Sequence, residues 1–476
     1  MSRIRANTIT NQNANGAPNF PDGITVTGVV TATTTNQNIT GDLTVSGNVG
    51  VGGTLTYEDV TNVDSIGIIT ARTDVLVGST IKLGASSGII TATSFRGDAS
   101  QMTGAGLGTD GSANTSGIIT ATAFVSNTAF SHRNMIINGA MLVAQRQDNT
   151  GVTDGYGGCD RFKFLRDGAT AVTLKQGGGG VAIPSEGFSK CQHVDVTTAD
   201  TSMGASNYNI LATRLEGRDL QRIKKGTSNA EQITVSFYIK STITGTYILE
   251  LTDNDNSRHC CKAYTISASN TWEKKIITFP ADTTGQYDCD ENLSMEVNWW
   301  LGAGSNYNSG TLQTTWGAQS NANRAVGCVN AVNSASNDIM LTGVQMEIGP
   351  VATPFEHRTF NAEIQRCMRY YEKSFQYSDA PANNGSYSTT GGGGAVFARS
   401  NNGSNRDKIQ FKVEKRSNPG LTFYGNGSGY WHSPSTGYHQ HNSVANGPDK
   451  TGFYPRQQAS GSIIDVQGHY SADSEL

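Results

Sequence analysis

The sequence has little charge and few apolar residues for a chain of its length. Of its 476 residues, 16% are charged and 36% are hydrophobic, against about 25% and 45% in ordinary globular domains. Its 35 Lys and Arg nearly balance its 39 Asp and Glu, which leaves a net charge of −4. Disorder through charge repulsion is therefore not expected, and a basic surface for a phosphate backbone is missing. Nucleic acid is excluded as a partner, and the abundant Gly, Thr, Ser and Asn favour an extended β assembly.

Long hydrophobic runs and paired cysteines are also missing. No apolar stretch follows the two early arginines, so the N-terminus is not expected to act as a secretory signal. No run approaches the ~18 apolar residues of a membrane span, so no membrane insertion is expected. The seven cysteines are odd in number, widely spaced and never arranged as CxxC. This pattern favours free thiols in a protein synthesised in a reducing cytoplasm.

Aromatic residues are scarce in the first 130 positions and common afterwards. That region holds five of the 38 Phe, Tyr and Trp residues, and it has no Trp or Cys. Because aromatic side chains bury the most surface each, the first region cannot build a conventional core. The composition predicts a boundary near Ser131.

The first region contains an internal repeat. Gly-Ile-Ile-Thr-Ala begins at Gly67, Gly88 and Gly117, with a degenerate copy at Gly28. The irregular spacing argues against a solenoid, while Leu43–Val45 and Val49–Val51 have the pattern of short strands between glycine turns. Each short strand offers only a few apolar side chains, and in a single chain their burial is too small to offset the entropy lost on ordering the backbone. We predict a trimeric β shaft; the alternative is a flexible Gly/Ser/Thr linker.

The second region has the pattern of an antiparallel β-sandwich. Ile233, Val235, Phe237 and Ile239 alternate with polar residues, and the pattern recurs in Trp272–Phe279, Met295–Trp299 and Ile339–Ile348. One helical period begins near Phe360. After the glycines at 391–394, an alternating segment around Ile409–Val413 predicts a small C-terminal β domain.

Several ordered motifs make this second region resemble the lectin-like module of bacteriophage tail-fibre proteins. They are Arg133–Met141, Gly158–Phe162, Leu341–Ile348, Ala352–Arg358, Glu363–Tyr371, Asn418–Tyr424 and Ala472–Leu476. The repeats, with Ala6–Thr10 and Pro21–Ile24, are similar to fibres of marine cyanophages. The resemblance implies a homotrimer in the virion, made in the host cytoplasm, with a carbohydrate-binding-type jelly roll facing the host.

Together these observations predict a mainly β chain with five segments. Residues 1–60 attach to the virion and start the shaft, and 61–130 form the repetitive shaft. Residues 131–358 form the jelly roll, 359–375 one helix, and 376–476 the C-terminal tip. The expected partners are two further copies, tail or baseplate proteins and a host-surface glycan.

No catalytic residues are predicted. The close carboxylates are Asp253 with Asp255, and Asp288 with Asp290 and Glu291. A glycosidase pair and a Ca²⁺ site are alternatives for these groups, but Asp in Asn-rich turns normally makes turn hydrogen bonds. No GxSxG, HExxH or phosphate-binding glycine loop is present.

Three aromatic residues are candidates for stacking on a sugar. Trp299 continues the face of Met295 and Val297 and is expected in the core, so Trp300 should point outward or to a subunit contact. Trp300, Tyr307 and Trp316 could then offer flat surfaces to a pyranose ring. The alternative is ordinary aromatic packing.

Two histidines are candidates for a metal site. His439 and His441 lie at i, i+2, which places both side chains on one side of an extended strand. In a trimer they would offer six imidazoles to one Fe or Zn ion on the axis, similar to the GxHxH segments of some phage long tail fibres. Otherwise they are exposed or hydrogen-bonded tip residues, and no cofactor is expected.

These features predict a non-enzymatic tail fibre that recognises the host surface. A whisker, collar or capsid fibre without host contact is the alternative, and a glycan depolymerase is a third hypothesis.

Overall fold

The structure is a computed structural model and divides into two units, Met1–Gly117 and Ile118–Leu476. It describes residues 6, 8–13, 18–31, 39–50, 52, 132–178, 183–383, 396–400, 407–425, 431–433, 437–438, 447–455 and 464–476.

The described residues of the first unit form turns and bends but no helix or strand. The single chain has no strand at Leu43–Val45 or at 49–50, where the strands of a trimeric shaft are predicted. The physical reason is that a strand needs a paired neighbour to satisfy its backbone. Val29 and Val30, in the degenerate copy of the repeat, are 91% and 71% exposed. The three full copies of the repeat lie outside the described residues.

The second unit is built on two antiparallel sheets that pack face to face. Their thirteen strands are Asn149–Val152 (β1), Gly155–Tyr156 (β2), Phe162–Asp167 (β3), Ala171–Gly178 (β4), Lys190–Thr198 (β5), Tyr208–Glu216 (β6), Ile233–Ser241 (β7), Gly245–Asp253 (β8), Arg258–Ile266 (β9), Glu273–Phe279 (β10), Leu293–Ala303 (β11), Gly317–Ala318 (β12) and Asp338–Ile348 (β13). Sheet A has the order β1-β4-β5-β13-β7-β10, and sheet B has the order β12-β9-β8-β11-β6-β3-β2. The predicted mainly β sandwich is confirmed.

Alternation along the strands creates the core between the sheets. Val235 and Phe237 of β7 and Val297 and Trp299 of β11 are fully buried there. The rings of Phe237 and Trp299 meet edge to face across the sandwich, with centroids 5.7 Å apart. Such a pair adds roughly 0.5–1.5 kcal/mol beyond its area burial.

The helices are short. They are Gly217–Leu220 (α1), Ser305–Asn308 (α2) and Phe360–Met368 (α3), with 3-10 turns at Pro184–Glu186, Gln221–Ile223 and Asn321–Asn323. Thr359 caps α3 by accepting a hydrogen bond from the backbone N–H of Ala362. The helix predicted over 359–375 is thus shorter than expected, because Tyr371–Lys373 leaves it to pair as a strand. In the described part of the chain, no helix has the length and apolar character to cross a membrane.

A smaller β layer follows α3. Its strands are Tyr371–Lys373 (β14), Val396–Ser400 (β15), Ile409–Gln410 (β16), Gly420–Tyr424 (β17), His432–Ser433 (β18), Gly437–Tyr438 (β19), Gly452–Phe453 (β20) and Ile464–Asp473 (β21). β21 is the central strand, since β14, β15, β17 and β18 all pair with it. Trp431, Phe453 and Tyr470 lie in its apolar core.

Buried charges join this layer to the sandwich. Arg161 forms an ion pair with Glu475 and lies over Tyr370, with its Cζ 3.4 Å from the ring centroid. Glu216 accepts two hydrogen bonds from Arg369, both at 2.7 Å. Bidentate pairs of this kind are geometrically specific, so they fix the β layer against the sandwich.

Candidate functional site

A helical turn at the end of β6 forms one wall of a cavity. The turn runs through α1 and the 3-10 turn Gln221–Ile223, and the buried side chains of Leu220 and Ile223 anchor it in the sandwich core. At Gly217 a Cβ would lie 2.0 Å from the carbonyl oxygen of Asp288. Only glycine allows the turn to approach the 284–288 loop this closely.

The cavity, called here the polar cavity, lies between this turn and the 284–288 loop. Its volume is about 390 Å³, within the roughly 300–1,000 Å³ range of small-molecule sites. Leu220 and Tyr287 supply apolar surface to the lining. The other lining side chains carry amide, hydroxyl or amine groups: Gln221, Lys224, Lys225, Thr227, Asn229 and Gln286. This lining is chemically suited to a ligand rich in hydroxyl groups.

Lys225 forms the floor of the polar cavity. Its Nζ lies 2.6 Å from Asp253 Oδ2 and 3.1 Å from Asp282 Oδ2, and Asp282 also pairs with Arg258. Burial would raise the pKa of Asp282, but the hydrogen bonds from Arg258 and Lys225 outweigh it and lower that pKa. The charges of Lys225 and Arg258 balance those of the two aspartates, so the floor is polar without a net charge.

Some lining groups have no partner. Among the residues that the structure describes, the side-chain amides of Asn229 and Gln286 make no hydrogen bond, and the buried hydroxyl of Tyr287 makes none either. Burial raises the pKa of Tyr287 well above its ordinary value, so the hydroxyl stays protonated and can donate. The unpartnered hydroxyl of Tyr287 is buried and costs roughly 1–3 kcal/mol. The amides of Asn229 and Gln286 are exposed, so they are available to a ligand in the cavity.

The carboxylates interpreted from sequence as turn residues divide into two kinds. Asp253 is fully buried and ion-paired with Lys225, so its interpretation as a solvated turn residue is wrong. Its position at the end of β8, not in the following turn, is the reason. Asp255 accepts a hydrogen bond from the backbone N–H of Asp288 at 3.0 Å, and Asp290 accepts one from Asn292, as turn residues do. Glu291 pairs with Arg218 and Lys450.

Trp300 does not provide a sugar-stacking surface. It lies on the outer face of sheet B as the alternation predicts, while Trp299 faces the core. However, the segment that follows β11 covers this face, and Trp300 is 0% exposed. Leu312, Ala325 and Cys328 of that segment pack in the same apolar cluster. Trp300 thus points away from the sandwich core as predicted, but its predicted use as an exposed stacking surface or subunit contact is wrong.

The other two predicted aromatic residues are half-buried. Tyr307 packs against Trp300 and meets Tyr208 edge to face, with ring centroids 5.5 Å apart in both cases. Trp316 donates its indole N–H to the carbonyl oxygen of Pro280 at 2.8 Å. The Nζ of Lys225 lies 5.5 Å from the Trp316 ring centroid and 5.2 Å from that of Tyr287. Trp316 thus lies behind the floor of the polar cavity instead of lining it.

A buried cluster beside Trp300 has metal-ligand residue types but is already satisfied. Glu250, His259 and Cys261 lie within 4.8 Å of one another through their ligand atoms. Arg324 donates to both oxygens of Glu250, at 2.8 and 3.0 Å, and His259 Nδ1 lies 3.0 Å from Oε1. The guanidinium supplies the charge that a cation would, so we assign a structural role. The sequence-predicted metal ligands His439 and His441 lie outside the described residues.

A cluster of aromatic side chains lies beside sheet A, and the sequence patterns did not predict it. The ring of Phe188 lies 5.5 Å from Tyr238, 4.9 Å from Phe355 and 5.3 Å from His357. We call these four residues the aromatic patch. The Tyr238 hydroxyl donates to Glu186 at 2.7 Å, and burial together with that carboxylate raises the pKa of Tyr238 to about 12. These rings mostly pack on one another and on Gly343.

Sequence reasoning also missed the residues of the polar cavity. Gln221, Asn229 and Gln286 are exposed polar residues of two loops that no periodicity connects. The nearest signal is the short basic cluster Arg222–Lys225, which proves to contain the cavity floor.

No protein-family model matches the chain, and no curated protein matches it. Among solved structures, it is similar to the enzymatically active domain of a bacteriophage CBA120 tailspike protein, with 12% identity over 45% of this chain and 21% of that one, at a TM-score of 0.25. It is also similar to a family 11 carbohydrate-binding module of a Clostridium thermocellum cellulase, with 13% identity over 44% and 98% of the two chains and a TM-score of 0.22. A xylan-binding domain from Paenibacillus barcinonensis gives 10% identity over 44% and 98%, at a TM-score of 0.20. At such TM-scores none of these likenesses carries a functional argument.

Proposed function

We propose that the chain is a homotrimeric phage tail-fibre protein of the marine cyanophage type that binds a host-surface glycan through its polar cavity. The observation that carries the glycan part is the polar lining of that cavity, where the exposed side-chain amides of Asn229 and Gln286 make no hydrogen bond among the described residues. Sugar hydroxyls both donate and accept, so they match amide groups. The motifs of the second region support the tail-fibre part.

Trimerisation is supported by the apolar side chains of the first unit. Val29 and Val30 are largely exposed in the single chain, and burying a valine side chain contributes roughly 1.5–3 kcal/mol. Two further copies would cover these residues and form the shaft that holds the heads on the tail or baseplate. Several weak glycan sites on one trimer would raise avidity without a tight single site.

A non-enzymatic role is supported by the engagement of the candidate carboxylates. Asp253 and Asp282 are held by Lys225, and Glu291 pairs with Arg218 and Lys450. A general acid needs a proton available at its carboxyl group, and hydrogen bonds from their cationic partners lower the pKa of Asp282 and of Glu291. Purified protein incubated with host envelope polysaccharide should release no oligosaccharide.

A metal on the trimer axis, held by His439 and His441, remains a separate proposal. Elemental analysis of the purified trimer tests it, and Fe or Zn below one ion per trimer excludes it.

Binding of the full-length chain to a panel of neutral and acidic oligosaccharides tests the glycan function. Asn229→Ala with Gln286→Ala should abolish binding while leaving the melting temperature unchanged, because these amides make no hydrogen bonds within the described structure. Asn361→Ala with Gln365→Ala is the matched control, since both residues are exposed on α3 outside the cavity. Absence of binding across the panel, with normal adsorption of particles carrying the double variant, would instead favour a structural appendage.

A further inference from the structure

A second cavity lies on the other side of the helical turn, and we call it the arginine groove. Its volume is about 370 Å³. One carboxylate, that of Asp219, lines it together with four arginines: Arg218, Arg222, Arg358 and Arg366. Gln221 lines both the arginine groove and the polar cavity. The two cavities therefore adjoin across a single side chain.

Carboxylates beside the groove pair with two of its arginines, Glu216 and Glu291 with Arg218, and Glu356 and Glu363 with Arg358. Glu356 accepts the backbone N–H of Asn134 at 2.7 Å, and Glu363 accepts that of Asn138. Glu216 takes both hydrogen bonds of Arg369, and Glu291 pairs with Lys450 as well as Arg218. These acids offset part of the arginine charge from outside the lining, and Asp219 is the one carboxylate among the lining residues. Among the described residues, Arg222 and Arg366 form no ion pair, so these two arginines carry the unpaired positive charge of the groove.

The guanidinium groups keep unused hydrogen-bonding capacity. Arg222 donates to the backbone carbonyls of His132 and Arg133, and its buried Nε has no acceptor. Arg358 donates to the carbonyl of Asn134 at 2.7 Å and to Glu356 at 3.3 Å. Arg366 makes no hydrogen bond or ion pair with any residue that the structure describes.

The arginines also disfavour one another's charge. Burial lowers the pKa of Arg222, and Arg358 and Arg366 lower it further against the opposing effect of Glu356. Burial and Arg366 likewise lower the pKa of Arg358, which Glu363 and Glu356 only partly offset. A cluster of like charges in a partly desolvated groove is stabilised when an anion binds.

We propose that the arginine groove binds the oxyanion of an acidic host glycan, a carboxylate, sulfate or phosphate, while a neighbouring sugar occupies the polar cavity across Gln221. This inference rests on the proposed glycan function and specifies the substrate class. Guanidinium groups suit such ligands because their planar forks match oxyanion geometry. Arg366 supplies the free donors.

Three matched oligosaccharide pairs test the inference by calorimetric titration of the full-length protein. The pairs are galacturonate with its methyl ester, a sulfated oligosaccharide with its desulfated form, and a phosphorylated one with its dephosphorylated form. At least one acidic member should bind more tightly than its neutral partner. Arg366→Gln should weaken that binding by about tenfold or more, since charge-assisted hydrogen bonds contribute ~1.5–3 kcal/mol.

Arg166→Gln is the control, because it removes the same charge from a residue outside both cavities, whose Nε donates to the backbone carbonyl of Thr153 at 2.9 Å. It should leave binding unchanged, and Arg366→Lys should restore part of the affinity. Equal binding within all three pairs, or unchanged acidic binding by Arg366→Gln, overturns the inference while the proposed function survives. Loss of the trimer in Arg366→Gln also overturns it, because the groove would then be a subunit contact. Absence of binding to any member refutes the proposed function itself.

Discussion

The indole N–H of Trp300 donates a hydrogen bond to Glu250 Oε2 at 2.8 Å, beneath the segment that covers the outer face of sheet B. Arg324 binds the same carboxylate with two hydrogen bonds and lies 5.1 Å from the Trp300 ring centroid. The residue is therefore part of a buried polar network. Its contribution is to stability and not to ligand contact.

Substitution of Trp300 should reduce stability without changing glycan specificity. Trp300→Ala removes a large buried side chain and should lower the free energy of unfolding by about 3–5 kcal/mol. Trp300→Phe keeps most of the volume but removes one donor to Glu250, for a loss of about 1–3 kcal/mol. Urea denaturation measures both. A Trp300→Phe protein of unchanged stability that no longer binds glycan would contradict this role.

The same network makes stability depend on pH in the acid range. Burial alone would raise the pKa of Glu250, but the charge and hydrogen bonds of Arg324 and His259 lower it from 4.5 to about 2. The folded carboxyl is thus more acidic than the unfolded one, so its stabilisation is complete above about pH 4.5 and is lost as the pH falls toward 2. Thermal melts from pH 7 to 2 should show this loss. Glu250→Gln should be less stable at pH 7 and should lose less stability on acidification.

Thiol reactivity should separate one cysteine from the other six. Cys289 is exposed, whereas Cys159, Cys191, Cys260, Cys261 and Cys367 are buried and Cys328 is half-buried. Burial raises the pKa of Cys328 and of Cys260 to about 12, which keeps both thiols protonated and unreactive. Titration with a chromogenic disulfide should detect one fast thiol in the native protein and seven after denaturation. Cys289→Ser should abolish the fast phase; a second fast thiol would contradict the structure.

The sequence predicts the sandwich well because strand alternation reports which side chains face the core. The apolar positions of β7 and β11 from Ile233 to Ile239 and from Met295 to Trp299 all lie in that core. The prediction that the cysteines are free thiols is also confirmed. Their odd number and wide spacing favoured free thiols over a disulfide framework. Local patterns do not report what covers the outside of a sheet, so the burial of Trp300 could not be inferred.

The candidate site depends on contacts between segments distant in sequence. Asn229 and Gln286 come from separate loops, and Asp253 becomes a buried ion-pair partner only because Lys225 meets it in space. Arg222, Arg358 and Arg366 likewise converge from three segments. Neither composition nor periodicity predicts these contacts between distant segments. The resemblance to phage fibres implies a carbohydrate module but does not identify its binding residues.

A structure of the full-length protein with a bound oligosaccharide from the panel tests the central claim most directly. The account predicts sugar density in the polar cavity, with hydroxyl oxygens within hydrogen-bonding distance of the side-chain amides of Asn229 and Gln286. Sugar bound at the aromatic patch of Phe188, Tyr238, Phe355 and His357, with the polar cavity empty, would contradict it.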